Sequence, residues 1–117
     1  MLHLHLKEVI EDDLFELLRE EVTIHQDALI VALKNGVDIE LRFRNDEAYS
    51  INWRWGDASC RIDTAPLHRD LATFPNHLHD DAGRVRADPV TRPGDSAWSN
   101  VQRLLRTLTR DPLLQAV

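Results

Sequence analysis

Apolar and polar positions change period several times along this 117-residue chain, and each change predicts an element. In "KEVIEDDLFELLREE" the apolar residues Val9, Ile10, Leu14, Leu17 and Leu18 fall on one helical stripe. Glu8, Glu11, Asp12 and Glu16 turn away from it. The spacing predicts a helix over 7–21, with early acids that suit the helix dipole. The preceding "LHLHL" alternates, which puts His3 and His5 on one side of an N-terminal strand edge.

Beyond residue 27 the period drops to two. "ALIVALK" runs into Asn35-Gly36, a strong hairpin signal when both turn positions take positive φ. "VDIELRFR" then alternates without fault, Val37, Ile39, Leu41 and Phe43 against Asp38, Glu40, Arg42 and Arg44. "AYSINWRW" sets Tyr49, Ile51, Trp53 and Trp55 on an apolar face that favours core packing. Gly56-Asp57 turns the chain into "ASCRID", where Cys60 and Ile62 oppose Arg61 and Asp63. These runs predict an antiparallel meander of four strands with one core face and one polar face. The first strand is apolar on both faces and should be the most covered.

Residues 64–95 are rich in Pro, Asp, Thr and Asn, long for a structureless loop. Within them "GRVRA" is a candidate fifth, edge strand. Asp95 or Ser96 can cap a last helix built on Trp98, Val101, Leu104, Leu105 and Leu108, and Pro112 ends it. Arg103, Arg106 and Arg110 fall toward its C-terminal end, where cations are favoured. The expectation is a single α+β domain over 1–117: an N-terminal helix, an antiparallel four- to five-stranded meander and a C-terminal helix.

Composition narrows the setting. The longest apolar run, "ALIVAL", is too short to span a bilayer, and the N-terminus has no signal-peptide pattern. Cys60 is the only cysteine, so no internal disulfide or cysteine-based zinc site forms, and a cytoplasmic protein is expected. Net charge is −6, which argues against a general nucleic-acid binder, but it is unevenly spread. Residues 1–40 carry ten acids against three bases, whereas 41–117 carry ten acids against eleven arginines. Contact with an anion should therefore use the second part.

Two constellations can carry chemistry. The first is His68, His77 and His79 with Asp63, Asp70, Asp80 and Asp81. Histidine titrates near neutrality, so two of them can divide the taking and giving of a proton, as metal-free RNA cleavage requires. On an extended segment, His77 and His79 point the same way. The same residues also have the makings of a zinc, manganese or iron site, or of a polar hydrogen-bonding loop. The second constellation is Arg42, Arg44, Arg54 and Arg61, which the alternation places on the polar sheet face as a phosphate platform or a solvated surface. A buried thiol suits Cys60 better than a nucleophile.

"YSINWRWGDASCRIDTAPLHRDLATFPNHLHDD" resembles the signature region of the TumE-type toxins of prokaryotic type II toxin–antitoxin pairs. In that family a strand ends in Asp. It is followed by an Asn-Ala-Pro-His-His turn, an acidic residue and Thr-Phe-Pro-His-His-Lys-His. Asp63, Ala65, Pro66, His68, Asp70, Thr73, Phe74, Pro75, His77 and His79 match, over about residues 49–81. Thr64, Leu67, Asn76 and Leu78 depart from it, replacing Asn, His, His and Lys.

The resemblance implies a small toxin that a cognate antitoxin protein neutralises, with RNA or the translation machinery as target and no membrane. Its helix-and-meander order is also similar to RelE- and barnase-like ribonucleases, an analogy of fold alone. The leading expectation is a metal-independent ribonuclease with no cofactor. His77 and His79 would be its acid–base pair and His68 a supporting proton carrier. Asp63 would orient a histidine, while Arg61, Arg54 and Arg42 bind substrate. A non-catalytic protein- or RNA-binding module and a metal-dependent nuclease or hydrolase stand as alternatives, and a homodimer stays open. The acidic first helix is either an antitoxin contact or a solvated face.

Overall fold

A computed structural model describes residues 2–116. Helix α1 (Leu2–Asp13) leads through a 3₁₀ turn (Phe15–Leu17) into seven strands. These are β1 (Thr23–His25), β2 (Ala28–Ala32), β3 (Asp38–Phe43), β4 (Tyr49–Trp55), β5 (Ala58–Asp63), β6 (His77–His79) and β7 (Val85–Ala87), followed by helix α2 (Ala97–Arg110). The strands form one antiparallel sheet in chain order. The α+β class and the meander agree with the sequence pattern. The candidate fifth strand in "GRVRA" is β7, at the sheet edge as expected; the count reaches seven rather than four or five because β1 precedes the expected meander and β6 lies inside the expected loop. No helix among the described residues is long and apolar enough to cross a membrane.

Register sorts the side chains. One row across the sheet reads Ile24, Leu29, Leu41, Ile51, Ile62, Leu78, and all but Ile24 are fully buried. These residues form one core with Leu6 and Ile10 of α1 and Val101, Leu104 and Leu105 of α2. Full burial of each such side chain contributes roughly 1.5–3 kcal/mol, against about 0–1 for an exposed ion pair. Apolar alternation therefore decides which sheet face meets the helices. The other face carries the polar row Glu40, Asn52, Arg61, His79 and, beside it, Arg42, Ser50, Asp63, His77. A one-residue slip of any strand would exchange the two faces.

Three local expectations are corrected. The first helix begins at Leu2 and ends at Asp13, not over 7–21, and "LHLHL" is helical. Leu6, Ile10 and Leu14 are four residues apart and completely buried, which outweighs a five-residue alternation. Beyond Asp13 the 3₁₀ turn still delivers Leu18 to the core and leaves Phe15 72% exposed. At Asn35-Gly36 only Gly36 takes positive φ. Leu33 and Val37 face each other across a three-residue loop, so Gly36 supplies the one left-handed residue of a bulged turn. Trp55, expected in the core, is 42% exposed, with its indole N–H donating to the Asn35 carbonyl. The last helix follows the expectation closely: Ser96 caps it by accepting the Ser99 N–H.

Candidate functional site

The polar rows bring together most of the residues singled out in the sequence. Asp63 stands directly opposite His77, and Arg61 directly opposite His79. Because β5 and β6 are antiparallel neighbours, a carboxylate, a guanidinium and two imidazoles share four adjacent positions on one face.

Asp63 is 5% exposed despite lying on the polar face. Its Oδ1 accepts the Ala65 N–H at 2.9 Å and lies 3.2 Å from His77 Nε2. Its Oδ2 accepts Arg61 Nε–H at 2.8 Å and lies 3.4 Å from His79 Nε2. Burial alone would raise its pKa, but the Ala65 amide, Arg61 and His77 together hold it below the usual carboxylate range. Asp63 is thus a fixed anion at pH 7.

His77 is 1% exposed. Its Nδ1 lies 3.0 Å from the Pro75 carbonyl, which can only accept, so that nitrogen carries hydrogen. Its Nε2 faces His79 Nε2 at 3.1 Å. Two ring nitrogens at that distance need one proton between them, and the Asp63 carboxylate flanks both. His79 has a side chain 39% exposed and opens to solvent. Its pKa is lowered, chiefly by burial, with Asp63 pulling the other way. His68 approaches from the loop, its ring 4.6 Å edge-on from that of His77 and 6.2 Å from that of His79. The ligating atoms of the three histidines all lie within 4.8 Å of one another.

The other expected partners lie elsewhere. Asp80 is drawn into the β6–β7 turn, where it accepts the backbone N–H groups of Ala82 and Arg84 and the Nε–H of Arg84 and Arg86. Asp70 and Asp81 are exposed and belong to no metal-competent group among the described residues. Arg42 lies on β3, with two strands between it and β6, and pairs with Glu40 and Asp27. Arg54 sits between Asp38 and Ser59, nearer the far end of β4. Only Arg61, of the expected arginine platform, joins the histidines.

Other contributors were not foreseen. Asp88 is buried beneath the loop, accepting the N–H groups of Val90 and Thr91, the Asn76 amide at 2.8 Å and the Thr91 hydroxyl. Asn76 also donates to the Thr91 carbonyl, and Thr73 binds the Asn76 carbonyl and the Asp88 N–H. This network pins the chain immediately before His77. Its one signal in the sequence is the Asp-Pro-Val-Thr run, read as loop composition. A groove of about 580 Å³ between Phe74, Arg92 and Thr107 is lined by none of the three histidines.

Two partly exposed imidazoles surround a buried third, with a carboxylate and an arginine beside them, and this set of groups has the chemistry for proton transfer or for holding a metal. A family model described as Toxin TumE matches residues 2–111, nearly the whole chain. The chain belongs to the TumE family of toxins. No curated protein and no solved structure matches it.

Proposed function

We propose that this toxin cleaves RNA at the histidine centre by metal-free acid–base chemistry, and that a cognate antitoxin restrains it. The observation that carries the reading is an accessible His79 backed by the buried His77–Asp63 pair. A substrate cannot reach His77, so His77 is a positioning residue rather than half of the acid–base pair. The two imidazoles that a phosphodiester can meet are His79 and His68.

The step balances as follows. His79, neutral, takes the proton of a ribose 2′-hydroxyl, and the bond from O2′ to phosphorus forms. The bond from phosphorus to O5′ breaks as His68, protonated, donates to the leaving oxygen. The products are a 2′,3′-cyclic phosphate and a 5′-hydroxyl. The positive charge gained by His79 is stabilised by Asp63, whose Oδ2 lies 3.4 Å from its Nε2. Arg61 spends its Nε–H on Asp63 and keeps its terminal N–H groups for the phosphoryl oxygens, where negative charge grows. Arg54 and Arg42 lie along the same face and would hold flanking phosphates. Arg42 first has to leave its acidic partners.

The test is cleavage of labelled RNA by wild-type protein, His79→Ala and His68→Ala, with and without chelator, alongside circular dichroism. The expected result is cyclic-phosphate product that survives chelation and is lost by about 10²-fold or more in each variant. Folded variants that cleave as wild type would remove the assignment. Folded wild-type protein that cleaves nothing would leave this face as a binding surface only.

A further inference from the structure

We propose that Asp63, His68, His77 and His79 form a binding site for one divalent transition ion, zinc by the chemistry of its donors, and that the ion locks the toxin in an inactive form. The proposal of the site stands on donor geometry. The lock rests on the metal-free reading above.

The donors of His77, His79 and Asp63 lie near coordination spacing. A tetrahedral zinc with bonds of about 2.0–2.1 Å separates neighbouring donors by about 3.3 Å. His77 Nε2 and His79 Nε2 are 3.1 Å apart. Asp63 oxygens lie 3.2 Å from the first and 3.4 Å from the second. His68 brings the fourth donor from the β5–β6 loop, within 4.8 Å of the other two imidazole donors, and would have to move inward to complete the shell. Three neutral imidazoles and one carboxylate are borderline and hard donors, a set that suits zinc over calcium or magnesium.

The surroundings are those of a ligand set rather than of a chance cluster. His77 donates its Nδ1–H to the Pro75 carbonyl, which fixes the tautomer and leaves the Nε2 lone pair directed into the cluster. Asp63 is oriented by the Ala65 amide and by Arg61. Arg61 carries the like charge nearest the site. Its side chain is half exposed, so solvent weakens its repulsion of an incoming cation. His79 provides the open side through which an ion enters.

Four protein ligands close a tetrahedral shell and leave no position for water or substrate. The ion also occupies the nitrogen lone pairs that proton transfer uses. Zinc and catalysis are therefore exclusive at this centre, and removing the metal activates the toxin.

Purified protein is stripped with chelator, then titrated with zinc against a chromophoric competitor and with cobalt(II) by visible absorption. RNA cleavage is followed in the same samples. The expected result is one ion per chain, tetrahedral cobalt bands and cleavage that falls with occupancy. Affinity should drop at least tenfold in His68→Ala, whose loop position spares the fold, and further in His79→Ala. One ion per chain together with cleavage that requires it keeps the site and overturns both the lock and the metal-free reaction. Failure of folded wild-type protein to bind zinc or cobalt overturns the site. Equal binding by His68→Ala removes His68 from the ligand set and, with it, the closed shell on which the lock depends.

Discussion

Replacing Asp63 by Asn tests whether the buried carboxylate does more than hold its strand. The amide has the same shape and its oxygen can still accept the Ala65 N–H, so β5 should stay in register. The negative charge is what disappears. It lies 3.2 Å from His77 Nε2 and 3.4 Å from His79 Nε2. At an effective dielectric of 20, a proton on either ring gains about 5 kcal/mol from that charge. If half of this survives as differential stabilisation of the transition state, cleavage falls on the order of 10²-fold. The fold loses less. The charge-assisted bond to Arg61 is screened by solvent on its arginine side, so roughly 1 kcal/mol goes, or about 3–5 °C in Tm. The assay is single-turnover RNA cleavage at fixed pH, with thermal unfolding of the same preparation. A well-folded Asp63→Asn protein cleaving within threefold of wild type would refute the role given to the carboxylate.

Other residues report on burial. The Tyr49 phenol is pushed up to about 12, chiefly by burial and against its bond to Thr91. Its contribution to stability is complete below pH 10 and is lost as the pH climbs toward 12, because only the unfolded chain ionises there. Urea midpoints measured from pH 9 to 12 should fall across that window, and Tyr49→Phe should flatten the fall. Burial pushes the Cys60 thiol up to about 11, so at pH 8 only about one thiol in a thousand is a thiolate. Alkylation should be slow in native protein and fast in urea; rapid native alkylation would contradict the packing of β5. Leu78→Lys restores the residue typical of the family's motif at a fully buried position. It should lower unfolding free energy by several kcal/mol, read from urea titration, since it forfeits apolar burial and desolvates an ammonium.

The parts of the fold that could be read from the chain are those where one local rule suffices. Strands β3 to β5 alternate because each turns only one face to the core, β2 reads as a short apolar run between turn signals, and α2 carries its cap and its apolar stripe close together. The misread parts depend on distant partners. His77–His79 is a three-residue strand whose only apolar member is Leu78, and it exists because β5 offers an edge and the Asp88 network delivers the chain to it. At the N-terminus, five alternating residues imitate a strand. The helix becomes evident only once Leu6 is seen to share a core with Leu105.

The site divides along the same line. That His68, His77, His79 and Asp63 belong together followed from motif and pattern. Their unequal exposure did not: His77 is buried, whereas His79 opens to solvent. Arg42 and Arg61 share a strand face and cannot be ranked by sequence, yet Glu40 and Asp27 occupy the first while the second lies opposite His79. The departures at Asn76 and Leu78 acquire a physical meaning here. Asn76 supplies the amide that locks the loop to Asp88, and Leu78 fills the core behind the histidines. Neither position could contribute a donor to the histidine cluster in this fold. Asn76 faces the buried network, and Leu78 points away from His77 and His79 by the strict alternation of the strand. The departures at these two places therefore leave untouched the four residues that register brings together on the polar face.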